Sequence, residues 1–201
     1  MGRPSEAKDK LLLVAFDLIW NQSYGSVSVD QICERASVNK GSFYHYFPSK
    51  ADLAVAAYEE HWREKQHELD RIFSPLIPPL ERIHLWCEHI HDRQKTKAAK
   101  YGHVCGCPYA SLGTELATQD EKIRIKTEQL VDNSLKYVES ALMDAKHQGL
   151  IFVDDPKVTA QRVYSMVLGR LLFARIRNSL KVLDDLEPSI MDIIGIRETA
   201  V

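Results

Sequence analysis

The chain has 201 residues, a formal net charge of −2 and 27% charged residues, room for one large domain or for a small head on a larger body. That charge excludes a polycation built to coat nucleic acid, and the first fifty residues carry only a slight positive excess, six Lys/Arg against five Asp/Glu. No segment approaches the ~20 apolar residues that cross a bilayer, and the apolar run Leu11–Trp20 is interrupted by Asp17 and lacks a small-residue cleavage site, so it does not read as a secretory signal. Four cysteines, Cys33, Cys87, Cys105 and Cys107, therefore point to a cytoplasmic protein with reduced thiols instead of a disulfide framework.

Apolar residues recur at helical spacing along almost the whole chain, and Pro, Gly and capping residues fall between the periodic runs, which predicts an all-α fold of about nine helices. Leu12, Ala15, Phe16 and Ile19 form the stripe of a first helix from about Ser5 to Gln22. Ser28 caps a second, with Gln31 completing a capping box; Ile32, Cys33 and Ala36 face inward. Asn39 caps a third helix through Tyr46. Ser49 and Asp52 form another capping box, opening a fourth helix that ends near Phe73 because Pro75, Pro78 and Pro79 cannot continue the hydrogen-bond ladder. Further helices are expected at 78–97, 107–117, 120–148, 156–178 and 183–195, with Lys97 to Gly106 the least regular stretch. Gly149 stops the long helix before it. The domain boundary falls inside the fourth helix, giving a head over 1–54 and a body over 55–201.

Two short helices joined by Ser37-Val38-Asn39, with small Ala36 at the crossing, have the form of a helix-turn-helix. The second would be the recognition helix, its early residues at base edges in the major groove. Lys40 and Ser42 suit bases or phosphate, and Tyr44, His45 and Tyr46 can bond phosphate oxygens. Lys50 sits in the first turn of the next helix, whose free N–H groups favour an anion. Arg3 and Lys8 could form an N-terminal arm. Phe43 and Phe47 are assigned to the core, since so small a head needs them there.

The run Ser28-Val29, Ile32, Ala36, Val38, Lys40-Gly41-Ser42-Phe43-Tyr44, Tyr46-Phe47 and Ser49-Lys50 with Leu53 resembles the TetR/AcrR family of transcriptional repressors. The resemblance implies an all-helical homodimer that reads a pseudo-palindromic operator in double-stranded DNA, with a divergent body that takes a small-molecule effector and releases the DNA. It also implies that Tyr44 and Lys50 contact the DNA backbone, with Ser28 as a candidate third contact. Ser23 departs from the pattern, which has Gly after the first helix, and serine suits a left-handed cap less well.

In the body, Gly106-Cys107-Pro108 ahead of a Ser-Leu…Glu-Leu helix resembles one branch of the same family. Pro108 fits a first helical position. Cys107 then stands at the helix N-terminus, where exposed N–H groups stabilise a thiolate. Related branches use a cysteine to sense electrophiles, so Cys107, with Cys105 second, is a redox candidate; small buried packing residues are the plainer reading. A Cys105–Cys107 disulfide is awkward at that spacing. His84, Cys87 and His91 share a helix face but lack an anchoring ligand pair, and no metal or cofactor is assigned. Trp86, Tyr109 and Tyr137 are the candidate lining of an effector pocket. The apolar faces of the last two helices, Val158, Val163, Val167, Leu171, Leu172 and Ile176, then Leu183, Leu186, Ile190, Ile193 and Ile194, suit a dimer interface.

The expectation is thus a ligand- or stress-responsive repressor, with no membrane association. Two alternatives stand beside it: a thiol sensor acting through Cys107, and a protein-interaction module that has lost DNA binding. There is no Gly-x-Ser-x-Gly elbow, phosphate loop or dinucleotide fingerprint, so no enzyme is expected.

Overall fold

The computed structural model of the chain describes residues 6–196, and among these there are nine α-helices, one short 3-10 turn at Leu180–Leu183 and no strand beyond an isolated antiparallel bridge between Ile151 and Ile196. The helices are α1 (Glu6–Asn21), α2 (Val29–Ala36), α3 (Lys40–Tyr46), α4 (Lys50–Ile72), α5 (Pro79–Tyr101), α6 (Pro108–Leu116), α7 (Glu121–His147), α8 (Pro156–Ile176) and α9 (Leu186–Ile194). Arg3 lies outside the described residues, and Lys8 belongs to α1 instead of an extended arm. No described helix is long and apolar enough to cross a membrane.

Local chemistry explains most of the boundaries. Gln31 N–H donates to Ser28 Oγ at 3.1 Å and Ser28 N–H to Gln31 Oε1 at 2.8 Å, a complete capping box at α2. Asn39 Oδ1 accepts the Ser42 N–H at 2.8 Å and starts α3. The expected box at α4 is modified: Ser49 Oγ accepts the Asp52 N–H at 3.1 Å, but the Asp52 carboxylate takes the Ser49 hydroxyl, at 2.7 Å, instead of a backbone N–H. Ser23 is not left-handed. Among described non-glycine residues only Ser37 and Asn178 have positive φ, and the Ser23 hydroxyl instead accepts the Ser26 N–H at 3.2 Å. The α5 helix runs past the expected end at 97 to Tyr101, because the left-handed Gly102 is its C-cap and bonds back to Ala98 O at 2.9 Å. The last helix starts at Leu186, later than expected, since Leu180–Leu183 winds as 3-10.

The chain forms two compact units. The first comprises residues up to Gln66 with Pro108–Val131. Its core includes Leu11, Phe16, Ile32, Phe43, Leu53, Tyr58, Tyr109 and Ile123. Helices α6 and α7 pack closely there: a Cβ at Gly113 would stand 3.2 Å from Thr127 Oγ1, which is why the position takes glycine. The second unit comprises His67–Cys107 with Asp132 onward, around Leu69, Ile83, Leu142, Val163, Leu186 and Ile190. Arg82, buried in this unit, donates to Asp144 at 2.6 Å and to Ile77 O at 2.7 Å, the pairing a buried guanidinium requires.

Candidate nucleic-acid interface

Helices α2 and α3 are joined by a turn whose first residue, Ser37, adopts φ +54° and closes α2 through N–H bonds to Cys33 O and Glu34 O. Ile32, Cys33, Ala36, Phe43 and Phe47 are buried beneath the turn. Burying Phe43 and Phe47 fixes the rotation of α3 and sends its other face outward. On that face Lys40, Tyr44 and His45 are exposed, and Ser42 and Tyr46 are half-buried. Tyr44, 56% exposed, is a large aromatic with a polar tip and no core role. Its ring meets Phe43 edge-on at 4.9 Å, which orients it from below. Ser28 is exposed but its hydroxyl already serves the α2 cap.

Charges on this face have partners within the chain. Lys40 Nζ lies 2.5 Å from Asp30 Oδ1, and that hydrogen bond, then the charge of Asp30, raises the Lys40 pKa. Lys50 Nζ donates to Tyr24 O and Val27 O, each at 2.8 Å, and stands 3.8 Å from the centre of the Tyr24 ring. Burial lowers its pKa. Two of its three N–H donors are thus committed to the loop ahead of α2. Sequence reasoning did not single out Asp30 as a rival to phosphate, nor Glu115, whose carboxylate accepts the N–H groups of Tyr24 at 2.9 Å and Gly25 at 2.6 Å. Glu115 belongs to the Ser-Leu…Glu-Leu run, but nothing in that spacing signals a loop 90 residues earlier.

The body residues divide between the two units. Tyr109 lies in the first, buried among Tyr58, His61 and Trp62 with ring centres 6.2 Å away. Trp86 and Tyr137 lie in the second and share Phe73, at 6.0 and 5.4 Å; Trp86 also stacks on Tyr164, and the Tyr137 hydroxyl donates to Asp70. Cys107 directly precedes α6 and is half-buried, whereas Cys33, Cys87 and Cys105 are buried. The segment ahead of it is pinned: Gly106 N–H donates to Gln94 Oε1 at 2.9 Å, Gln94 Nε2 donates to Gly106 O at 3.0 Å, and Val104 N–H donates to Asn178 Oδ1 at 2.9 Å. Gly106 has φ +72° and abuts Leu171 O, so glycine is required.

The histidine-cysteine face of α5 is engaged by carboxylates. His84 Nδ1 is 2.8 Å from Glu187, and His91 Nε2 is 3.8 Å from Asp184. Burial, with Glu187 nearby, pushes the Cys87 thiol up to about 12, opposing the thiolate a metal needs. Among the described residues no group of three or more His, Cys, Asp or Glu is arranged to hold a metal ion.

In α8 and α9 the apolar residues part company. Val163, Val167, Leu171, Leu183, Leu186, Ile190 and Ile194 are buried within the chain, which corrects the expectation that these residues of the last two helices face a partner. Leu172, Phe173 and Ile176, by contrast, are 57%, 52% and 68% exposed on α8.

Residues 11–57 match the model of the bacterial regulatory proteins, tetR family. The chain is 29% identical over 180 residues, 88% of its own length and 87% of the other's, to an uncharacterized HTH-type transcriptional regulator in the lacX 3' region of Lactococcus lactis subsp. lactis. It is 24% identical over 200 residues, 94% of each chain, to the HTH-type transcriptional repressor NemR of Escherichia coli K12. The reduced form of E. coli NemR has the same fold, with a TM-score of 0.84 over 97% of this chain and 100% of that one, at 24% identity. A regulatory protein TetR from Rhodobacter sphaeroides also scores 0.84, at 26% identity, over 94% of this chain and 100% of that one. Residues 11–57 thus match the head of the tetR family of bacterial regulatory proteins, and the chain as a whole shares the fold of these two solved regulators.

Proposed function

We propose that the protein is a transcriptional repressor that binds a pseudo-palindromic DNA operator as a homodimer and is released by a small-molecule effector. The observation that carries this reading is the division of α3 into a buried Phe43 and an exposed Lys40, Tyr44 and His45, with half-buried Ser42 and Tyr46 at the edge. Lys40 and Ser42 meet base edges or the nearest phosphates, Tyr44, His45 and Tyr46 position the backbone, and Lys50 and Ser28 flank them. The exposed Leu172, Phe173 and Ile176 supply the apolar patch of the dimer interface. Trp86 and Tyr137, around Phe73, supply aromatic walls with a polar tip for an organic effector, and Tyr109, with Tyr58 and Trp62 in the other unit, is a separate candidate. An effector that fits one body conformation shifts the population toward it, and effector and DNA then weaken each other reciprocally. Acting on bacterial DNA, the protein works in the cytoplasm.

The test is a mobility shift of the full-length protein on DNA upstream of its own gene over a range of salt. Repressor binding gives a saturable shift that weakens steeply as salt rises, through counterion release. A protein-interaction module gives no shift at any salt.

Cys107 supports a second reading, a thiol sensor. It is the least buried of the four cysteines and stands where the N–H groups of α6 stabilise a thiolate. The relative NemR has been crystallised in a form described as reduced. Treatment with N-ethylmaleimide should release the DNA from wild type and leave a Cys107→Ser variant bound. Equal release of both variants excludes Cys107, and Cys105 with its fully buried thiol becomes the remaining candidate.

A further inference from the structure

The loop Tyr24–Val27, which leads into the helix-turn-helix, is held between opposite charges. From the last turn of α6, the Glu115 carboxylate accepts the Tyr24 N–H through Oε2 at 2.9 Å and the Gly25 N–H through Oε1 at 2.6 Å. From the first turn of α4, the Lys50 ammonium takes the carbonyls of Tyr24 and Val27, each at 2.8 Å. Each charge meets the complementary end of the peptide dipoles, the anion on N–H and the cation on C=O. Such charge-assisted bonds are stronger than neutral ones, and two on one carboxylate fix direction as well as position. Gly25 makes the approach feasible: a Cβ there would lie 3.1 Å from Glu115 Oε1, closer than ordinary contact.

The loop has little freedom at its other end. Val27 is buried, and Ser28, which follows it, forms the α2 capping box. Wherever the loop is set, the start of α2 is set with it, and α3 follows across the short turn. The first turns of α7 brace the same unit through Lys122 to Asp52, at 2.7 Å, and Lys126 to Glu59.

We propose that Glu115 is a positioning residue for DNA binding: its carboxylate sets the Tyr24–Val27 loop and thereby the presentation of α3. The assignment rests on the DNA-binding reading given above. Glu115 touches no DNA; it acts through the two amides it holds. Losing the clamp leaves the loop to be ordered at the moment of binding, and that cost appears as weaker affinity.

The experiment uses full-length protein and a duplex enriched from a random-sequence library by the wild type. Glu115→Ala is expected to weaken binding to that duplex about tenfold, in keeping with the worth of hydrogen bonds to a charged group. The amide proton resonances of Tyr24 and Gly25 should move upfield as their carboxylate partner is lost. Glu115→Gln, which keeps one acceptor oxygen, should fall between wild type and Glu115→Ala. Gly25→Ala attacks the clamp from the loop side and should reproduce the loss, which keeps the test intact where Glu115→Ala fails to fold. Displaced amide resonances with wild-type affinity would overturn the assignment, as would unmoved resonances. If the wild type enriches no sequence, the DNA-binding reading itself fails. If it enriches one and the variants bind it equally well, only the role of Glu115 fails.

Discussion

Lys40 Nζ is paired with Asp30 Oδ1 at 2.5 Å, so the first basic residue of α3 carries a carboxylate at the edge of the face offered to DNA. Both side chains are solvent-exposed, at 56% and 69%, and such a pair adds little to folding. Its consequence is competition, since a phosphate must displace Asp30 to reach Lys40. Asp30→Asn should tighten DNA binding by removing that rival. Lys40→Ala should weaken it and reduce the slope of log affinity against log salt by about one. Fluorescence anisotropy over a salt series reads both, and identical slopes for wild type and Lys40→Ala would remove Lys40 from the interface.

Adjacent aromatic residues on α3 should give opposite phenotypes. Phe43 is wholly buried and Tyr44 is 56% exposed. Phe43→Ala should cost roughly 3–5 kcal/mol of stability, as truncation of a packed core phenylalanine does. Tyr44→Ala should leave the urea midpoint nearly unchanged and reduce DNA affinity. Parallel denaturation and binding curves check the pair. A Tyr44→Ala protein that unfolds early and, once folded, binds normally would make Tyr44 a packing residue.

The contact between α5 and α9 should make stability depend on pH. His84 Nδ1 lies 2.8 Å from Glu187 Oε2, and the hydrogen bond first, then the charge of Glu187, raise the His84 pKa above its ordinary 6.5. The protonated form is therefore favoured in the folded state. Its stabilisation is fully present below about pH 6.5 and is lost as pH rises through the elevated value. The effect is small, because the imidazole is exposed and solvent screens the pair. Urea midpoints between about pH 6 and about pH 8.5 should decline for wild type and flatten for His84→Gln. The same decline in His84→Gln would assign the pH dependence elsewhere.

Leu172, Phe173 and Ile176 expose a contiguous turn of apolar side chains on α8. A charge there should prevent self-association without disturbing the buried Leu171 and Ala174 beside it. Leu172→Glu is expected to sediment as a monomer where wild type sediments as a dimer, and to lose most of its operator affinity, since one head contacts one half-site. A Leu172→Glu dimer with unchanged sedimentation would place the interface elsewhere.

The head was legible in the sequence because its determinants are local. Ser28 with Gln31, and Asn39 with Ser42, act over three residues, and each cap stands where the spacing puts it. The need of so small a head for apolar core likewise singled out Phe43 and Phe47, and both are buried. Partners distant in the chain were not legible. The Lys50 ammonium reaches back to Tyr24 and Val27, and the Glu115 carboxylate reaches the same loop from 90 residues further on. Neither spacing is periodic: the sequence reads Lys50 as a contact to the DNA backbone and Glu115 only as part of the α6 run. The α9 helix illustrates a different gap: an apolar stripe states that a face is buried, not whether the covering surface belongs to the same chain, and Ile190 and Ile194 turned out to be covered from within.

Selection of duplexes from a random-sequence library by full-length wild-type protein, followed by binding of the enriched duplex across a salt series, tests the central claim most directly. The account predicts a pseudo-palindrome with half-sites centred about one helical turn, or a multiple of it, apart, and affinity that falls steeply as salt rises. A library that stays unenriched, together with binding indifferent to salt, would contradict it.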